Sequence, residues 1–229
     1  MSKKFIASPR RHTLAMFGGG ALASCRSLSA QAQTQTVMHL DFENMAVGQL
    51  PSGMTMALTG GGGPVNWTVI EDKTAPAGAK VLAQTSVDRT DNRFPLAILD
   101  ATTPANLRIS VRFKPVAGSV DRAAGIALRL RDADNYYVCR ANALEDNVRL
   151  YRVVAGRRTQ FEGANTKVPS GIWQELAIEA RGSRFDAFLN DKNLFTATDT
   201  TFTASGRVAL WTKADSVTYF DDLLVRSLT

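Results

Sequence analysis

The chain has 229 residues, 45% hydrophobic and 21% charged, with a formal net charge of +6; that length suffices for one well-buried domain. Five of the 27 Lys and Arg lie in residues 1–32, which hold no Asp or Glu, so the remainder carries 22 basic against 21 acidic side chains. Nothing in that near-neutral balance argues for nucleic acid or an anionic membrane as the partner, and the two cysteines, Cys25 and Cys139, allow no disulfide within the chain once Cys25 is removed.

Residues 1–32 read as a signal peptide. Lys3, Lys4, Arg10 and Arg11 form a positive start, Leu14 to Ala23 is a short apolar run, and Ala30-Gln31-Ala32 is a small-residue cleavage site. The paired Arg10-Arg11 points to the twin-arginine route. The run is too short for a transmembrane span, which needs about 20 residues. A mature protein in the periplasm or beyond is expected; the alternative is a lipoprotein anchored through Cys25, because Leu22-Ala23-Ser24-Cys25 resembles a lipobox.

From residue 33 the pattern is that of strands in a single domain. Val37–Glu43 alternates as a first strand, broken by Gly48, Pro51 and Gly53. Thr59–Pro64 is a flexible glycine-rich loop without the Lys-Ser/Thr of a phosphate cradle. Short strands follow at Trp67–Glu71, Val81–Gln84 and Phe94–Leu99, with a polar loop at Ser86–Arg93. Asn106–Lys114 sets Leu107, Ile109, Val111 and Phe113 against Arg108, Ser110, Arg112 and Lys114. A meander then occupies Asp121–Val154, with strands at Gly125–Arg131, Tyr136–Asn142 and Val148–Val154 split by turns at Asp132–Asn135 and Glu145–Asn147. Further strands at Arg157–Glu162, Trp173–Ala180, Arg184–Leu189, Asn193–Ala197, Gly206–Lys213 and Thr218–Leu228 complete about a dozen, and no amphipathic helix interrupts them. Short strands at this spacing predict an all-β sandwich.

The runs Asp132–Tyr137, Val148–Val153, Gly171–Leu176, Phe185–Asn190, Gly206–Thr212 and Phe220–Val225 resemble the concanavalin A-like lectin/glucanase superfamily. Within it they are most similar to bacterial domains of the 3-keto-disaccharide hydrolase (family 16 glycosidase-like) type and to laminin-G-like domains. The resemblance covers Met38 to Arg226 and implies a jelly roll of two antiparallel sheets whose concave face often binds carbohydrate. Family 16 endoglucanases carry Glu-x-Asp-x-x-Glu on one strand, the paired carboxylates of glycoside hydrolysis. This chain has no such run; its nearest pair, Glu175 and Glu179, reads as solvated carboxylates on an outer face.

The candidate ligand surface follows from chemistry. Sugars take aromatic faces and planar polar side chains, and the central strands offer Arg129, Arg131, Tyr136, Arg140, Asn142, Arg149 and Tyr151. If Ile126, Leu128 and Leu130 face the sandwich interior, Arg129 and Arg131 line the opposite surface, and several arginines there would suit uronates. Trp67, Trp173 and Trp211 read as packing residues, with sugar-stacking platforms as the alternative, and Cys139 as a buried small hydrophobe. The resemblance also implies a structural calcium between the first and last strands, at Asp41 or Glu43 with Asp221 or Asp222; the Asp88/Asp91 loop is a second, less defined possibility, and no other cofactor is indicated. The leading expectation is an exported, lectin-like module binding a polysaccharide or oligosaccharide, with no catalytic site of its own and no nucleic-acid partner. The alternatives are a glycoside hydrolase using scattered carboxylates such as Asp134, Glu145 or Glu175, and a structural envelope protein. Period-2 patterning defines faces but does not say which sheet is concave.

Overall fold

A computed structural model describes residues 1–2, 4 and 35–229. The predicted signal segment, with its Arg10-Arg11 pair, Cys25 and the Ala32 cleavage site, lies outside the described residues. The described residues 35–229 belong to one compact unit.

The described strands are β1 (Gln35–Leu40), β2 (Met54–Gly60), β3 (Trp67–Glu71), β4 (Lys80–Gln84), β5 (Arg93–Leu99), β6 (Leu107–Ala117), β7 (Ala123–Asp132) and β8 (Asn135–Asn142). They continue with β9 (Asn147–Val154), β10 (Arg157–Asn165), β11 (Gln174–Arg181), β12 (Arg184–Leu189), β13 (Lys192–Thr198), β14 (Arg207–Trp211) and β15 (Val217–Ser227). They make two antiparallel sheets: an eight-stranded one ordered β13-β12-β11-β6-β15-β4-β3, with β1 also on β15, and a seven-stranded one ordered β10-β9-β8-β7-β14-β5-β2. This is an all-β jelly roll, as the strand pattern and the resemblance led us to expect.

The alternation in β6 works as read: Leu107, Ile109, Val111 and Phe113 are fully buried against Ile126, Leu128, Tyr137, Cys139 and Leu150 of the opposing sheet. Burying the apolar face of each strand against the other sheet supplies most of the driving force, about 25 cal/mol per Å² removed from water. Trp67 belongs to this core, 5.7 Å from Phe220. Cys139 is wholly buried, and burial pushes its thiol up to about 12.

The seven-stranded sheet curls away from this core. Flat, its strands β2 and β8, four places apart, would lie about 19 Å from each other at the usual spacing. Yet Thr59 Oγ1 on β2 is 2.9 Å from the Tyr136 hydroxyl on β8. The face that these two residues share is therefore concave. It carries a second apolar cluster, including Phe94, Leu96, Ile98, Tyr136, Val138, Tyr151 and Trp211, buried although no further sheet lies over it.

Three expectations need correction. The stretch Met54–Gly60, to which the sequence reading assigns no strand and whose last two residues it places in a flexible loop, is a strand paired along its whole length with β5. The glycine-rich loop after it is pinned by the buried Arg93, which donates to the carbonyls of Gly63 (3.3 Å), Pro64 (2.8 Å) and Ala214 (3.1 Å). And β7 does not keep one phase. A β-bulge at Arg129, whose φ is 47°, shifts the register, so Leu130 leaves the sandwich interior for the concave face.

Candidate functional site

The bulge decides the fate of Arg129. Its side chain is 1% exposed and donates to the carbonyls of Ala105 (2.9 Å), Phe202 (2.8 Å) and Gly182 (2.7 Å), with its guanidinium 5.2 Å from the Phe185 ring centre. It ties the two sheets together at one end and does not line the open surface expected for it. Arg131 is exposed and lies 4.9 Å from the ring centre of Phe202, the residue whose carbonyl Arg129 holds.

Tyr136, Arg140 and Asn142 of β8 do share the concave face with Arg149 and Tyr151 of β9, but most of them are used internally. Tyr136 is fully buried; burial pushes its hydroxyl up to about 12, and that hydroxyl meets Thr59 and the Trp211 indole (3.2 Å). Arg140 donates to Glu145 (2.8 Å) and Asn147 (2.6 Å). Asn142 donates to Asp121 at 2.7 Å. Arg149 donates to Asn165 at 2.6 Å. Sequence alternation sees which face a residue occupies; it does not see that a curled sheet crowds that face until its polar groups bond one another.

Across the trough, Phe94 of β5 stacks on Trp211 of β14 with ring centres 5.4 Å apart. Arg158, on the edge strand β10, reaches over both arms: its guanidinium is 4.4 Å from the Tyr151 ring centre, 4.7 Å from Phe94 and 5.7 Å from Trp211. At the end of the trough beyond this plug is a cavity of about 610 Å³ lined by Gly60, Asn92, Phe94, Asp134, Ala155, Gly156, Arg157 and Arg158. Two hairpin tips make one rim. Ala155 (φ 47°) and Gly156 (φ 74°) form the left-handed turn between β9 and β10. Gly156 N–H donates to the Asp134 carbonyl at 3.0 Å, and Ala155 N–H to the Asn135 side chain at 3.1 Å. Gly60 and Asn92 make the other rim, held in place by Arg93. The cavity thus presents an aromatic floor, a planar cation, an amide and a carboxylate.

Sequence reasoning missed Asn92, Phe94, Arg157 and Arg158. A signal was available for Phe94: every residue of β5 is apolar or buried on both faces, including Phe94, Leu96 and Ile98 opposite Ala97 and Leu99. A strand covered on both sides belongs to a surface that folds over itself.

The carboxylates considered for catalysis do not meet. Asp134 and Glu145 lie at the two ends of β8, separated by roughly 23 Å of strand. Glu175 and Glu179 are on the eight-stranded sheet, 3.8 Å from Arg112 and 3.0 Å from Arg108. Burial would raise the Glu145 carboxyl, but the Asn147 hydrogen bond and the Arg140 charge outweigh it and hold the group below its usual range. Lys213 sits 2.5 Å from Asp91 and 2.8 Å from Asp121. Asp88 caps the glycine-rich loop through Gly63 N–H (2.6 Å) and Thr90 N–H (2.9 Å).

The residues expected to hold calcium are engaged with protein donors. Glu43 accepts from the N–H groups of Ala79 (2.9 Å) and Lys80 (2.7 Å), Asp222 lies 2.5 Å from His39 Nε2, Asp221 accepts from Ala77 N–H at 3.0 Å, and Asp41 accepts from Glu43 N–H at 3.2 Å. Among the described residues no three His, Cys, Asp or Glu side chains gather closely enough to hold a metal ion. Trp173 packs over Lys114, 5.2 Å from its ammonium, and donates to Thr74 at 3.1 Å.

No family model matches the chain, and no curated protein matches it in sequence. Solved structures do. A carbohydrate-binding module, CBM66 from Bacillus subtilis, superposes with a TM-score of 0.61 at 19% identity, covering 76% of this chain and 96% of that one. A β-glucanase from Bacillus licheniformis gives 0.55 at 12% identity, covering 83% and 97%. Domain 4 of AbnA, an extracellular arabinanase from Geobacillus stearothermophilus solved with arabinotriose, gives 0.55 at 16% identity, covering 86% and 95%. At these identities the likeness establishes the concanavalin A-like jelly-roll fold and nothing finer.

Proposed function

We propose that this protein binds a saccharide, without cleaving it, in the cavity at the end of its concave trough. One observation carries the reading: the cavity of about 610 Å³ places Phe94, Arg158, Asn92 and Asp134 around one space, the mixture of apolar face and directed polar groups that sugar recognition needs. The similar structures include a carbohydrate-binding module and a domain solved with arabinotriose, which supports the reading by analogy of fold. The partner is then a polysaccharide or oligosaccharide. The N-terminal pattern through Ala32 supports a location in the periplasm or outside the cell.

A glycosidase acid must hold its proton near neutral pH. Glu145 is pushed the other way, and the separation of Asp134 from Glu145 exceeds the 6.5–9.5 Å that inverting enzymes use. The structural-protein reading has its own support, because the middle of the trough is filled by Phe94, Trp211, Tyr136 and Arg158.

The test is a panel of neutral and acidic glycans titrated against the purified protein, with product release followed on the same samples. Asn92→Ala and Asp134→Ala, both exposed, are expected to weaken binding about tenfold while leaving stability within about 0.5 kcal/mol. Product release would replace this reading with an enzyme. Silence across the panel would favour the structural one.

A further inference from the structure

The charges around the cavity do not balance locally, and the imbalance selects among saccharides. Elsewhere on this face two cations have their anions: Arg140 is 2.8 Å from Glu145, and Lys213 is held by Asp91 and Asp121. At the cavity, among the described residues, no carboxylate pairs with Arg157 or Arg158. Arg158 is the more telling of the two. Its guanidinium is walled by Tyr151, Phe94 and Trp211, and Nη1 is buried with no hydrogen-bond partner. A desolvated, unpaired guanidinium is an expensive feature to retain. It is also what a planar carboxylate needs, since two parallel N–H groups match its two oxygens.

We infer that the cavity is a uronate subsite, in which Arg158, assisted by the exposed Arg157, takes the carboxylate of an acidic sugar while Phe94 meets the sugar ring. This rests on the saccharide reading above and narrows it. Asp134 sets the upper limit on charge. Its carboxylate lines the same space, accepts hydroxyl donors, and repels a second negative charge, so one carboxylate with free hydroxyls suits the cavity better than a sulfated or phosphorylated sugar. Binding requires a rotation of the Arg158 guanidinium that brings Nη1 out of its apolar wall.

The experiment compares oligogalacturonate with the same oligomer methyl-esterified, and with a sulfated oligosaccharide, by titration calorimetry at 50 mM and 300 mM salt. The expected result is at least tenfold tighter binding of the free acid than of its ester, weakening with salt. Arg158→Gln is expected to erase that difference, and Arg157→Gln, at an exposed position that leaves packing intact, to reduce it severalfold. Equal or tighter binding of the ester overturns the uronate subsite while the saccharide reading stands. Preference for the sulfated ligand overturns it in favour of a general anion site. Failure of every glycan on the panel to bind removes both readings together.

Discussion

Asp221 is a carboxylic acid whose ionisation the fold opposes. It is fully buried, where β15 changes partner from β4 to β1, and burial, with the charges of Asp222 and Glu43 adding to it, pushes its carboxyl up to about 6 in spite of hydrogen bonds from Ala77 and Asp222. Between pH about 4 and about 6 the folded state therefore holds a proton that the unfolded chain has released. The stability tied to this group is greatest below pH 4 and is lost as pH rises to 6, by on the order of 2 kcal/mol. Asp199 works in the opposite sense: burial would raise it, but hydrogen bonds from Thr201, Tyr137 and Arg152 outweigh burial and hold it down at about 2, so its contribution is present above pH 4 and fails only in strong acid. Urea midpoints measured from pH 3 to 8 are expected to decline between 4 and 6, and Asp221→Asn to flatten that decline. A wild-type profile still rising through this window would contradict the burial argument.

At the scale of the strand, what sequence reveals and what it conceals can be separated by cause. Fourteen of the fifteen strands fall within a few residues of where the sequence places them, most of them because one face lies in the sandwich core and that burial is written as alternation. β2 was hidden because Gly53 and Gly61–Gly63 bracket it and its residues are largely small. β7 was visible, but its bulge was not: nothing in Leu128-Arg129-Leu130 distinguishes a continuous alternation from one interrupted by a left-handed residue. Two consequences are measurable. Arg129→Ala orphans the carbonyls of Ala105, Phe202 and Gly182 and is expected to cost about 3 kcal/mol in urea unfolding; a loss below 1 kcal/mol would mean that water replaces the guanidinium easily. At the seam between β1, β4 and β15, the expected calcium ligands are bonded to Ala77, Ala79, Lys80 and His39, so the melting temperature is expected to stay unchanged when a calcium chelator is added. A fall of several degrees would show that the seam needs an ion.

The molecule as a whole is a sandwich with one strongly curled sheet, and its curl brings chemistry together from strands far apart in the sheet order. Arg158 stands at the edge on β10, yet it packs on Trp211 four strands away and on Phe94 five strands away. No sequence pattern encodes that approach, since alternation records faces and is blind to curvature. The same bridge sets stability against binding. An unpaired guanidinium beneath three rings is less favourable to the folded state than an apolar side chain of similar length would be, whereas methionine keeps the aromatic contacts. Arg158→Met is therefore expected to stabilise the protein by about 1 kcal/mol, raising Tm by about 2–4 °C, while removing its preference for acidic saccharides. Saturating oligogalacturonate should raise the Tm of the wild type and not that of the variant, because only the wild type gains the charge partner on binding. A variant that melts lower than the wild type would instead make Arg158 a keystone of the curl, its cation–π contacts outweighing its desolvation, and the trough would then be closed by design and not poised for a ligand.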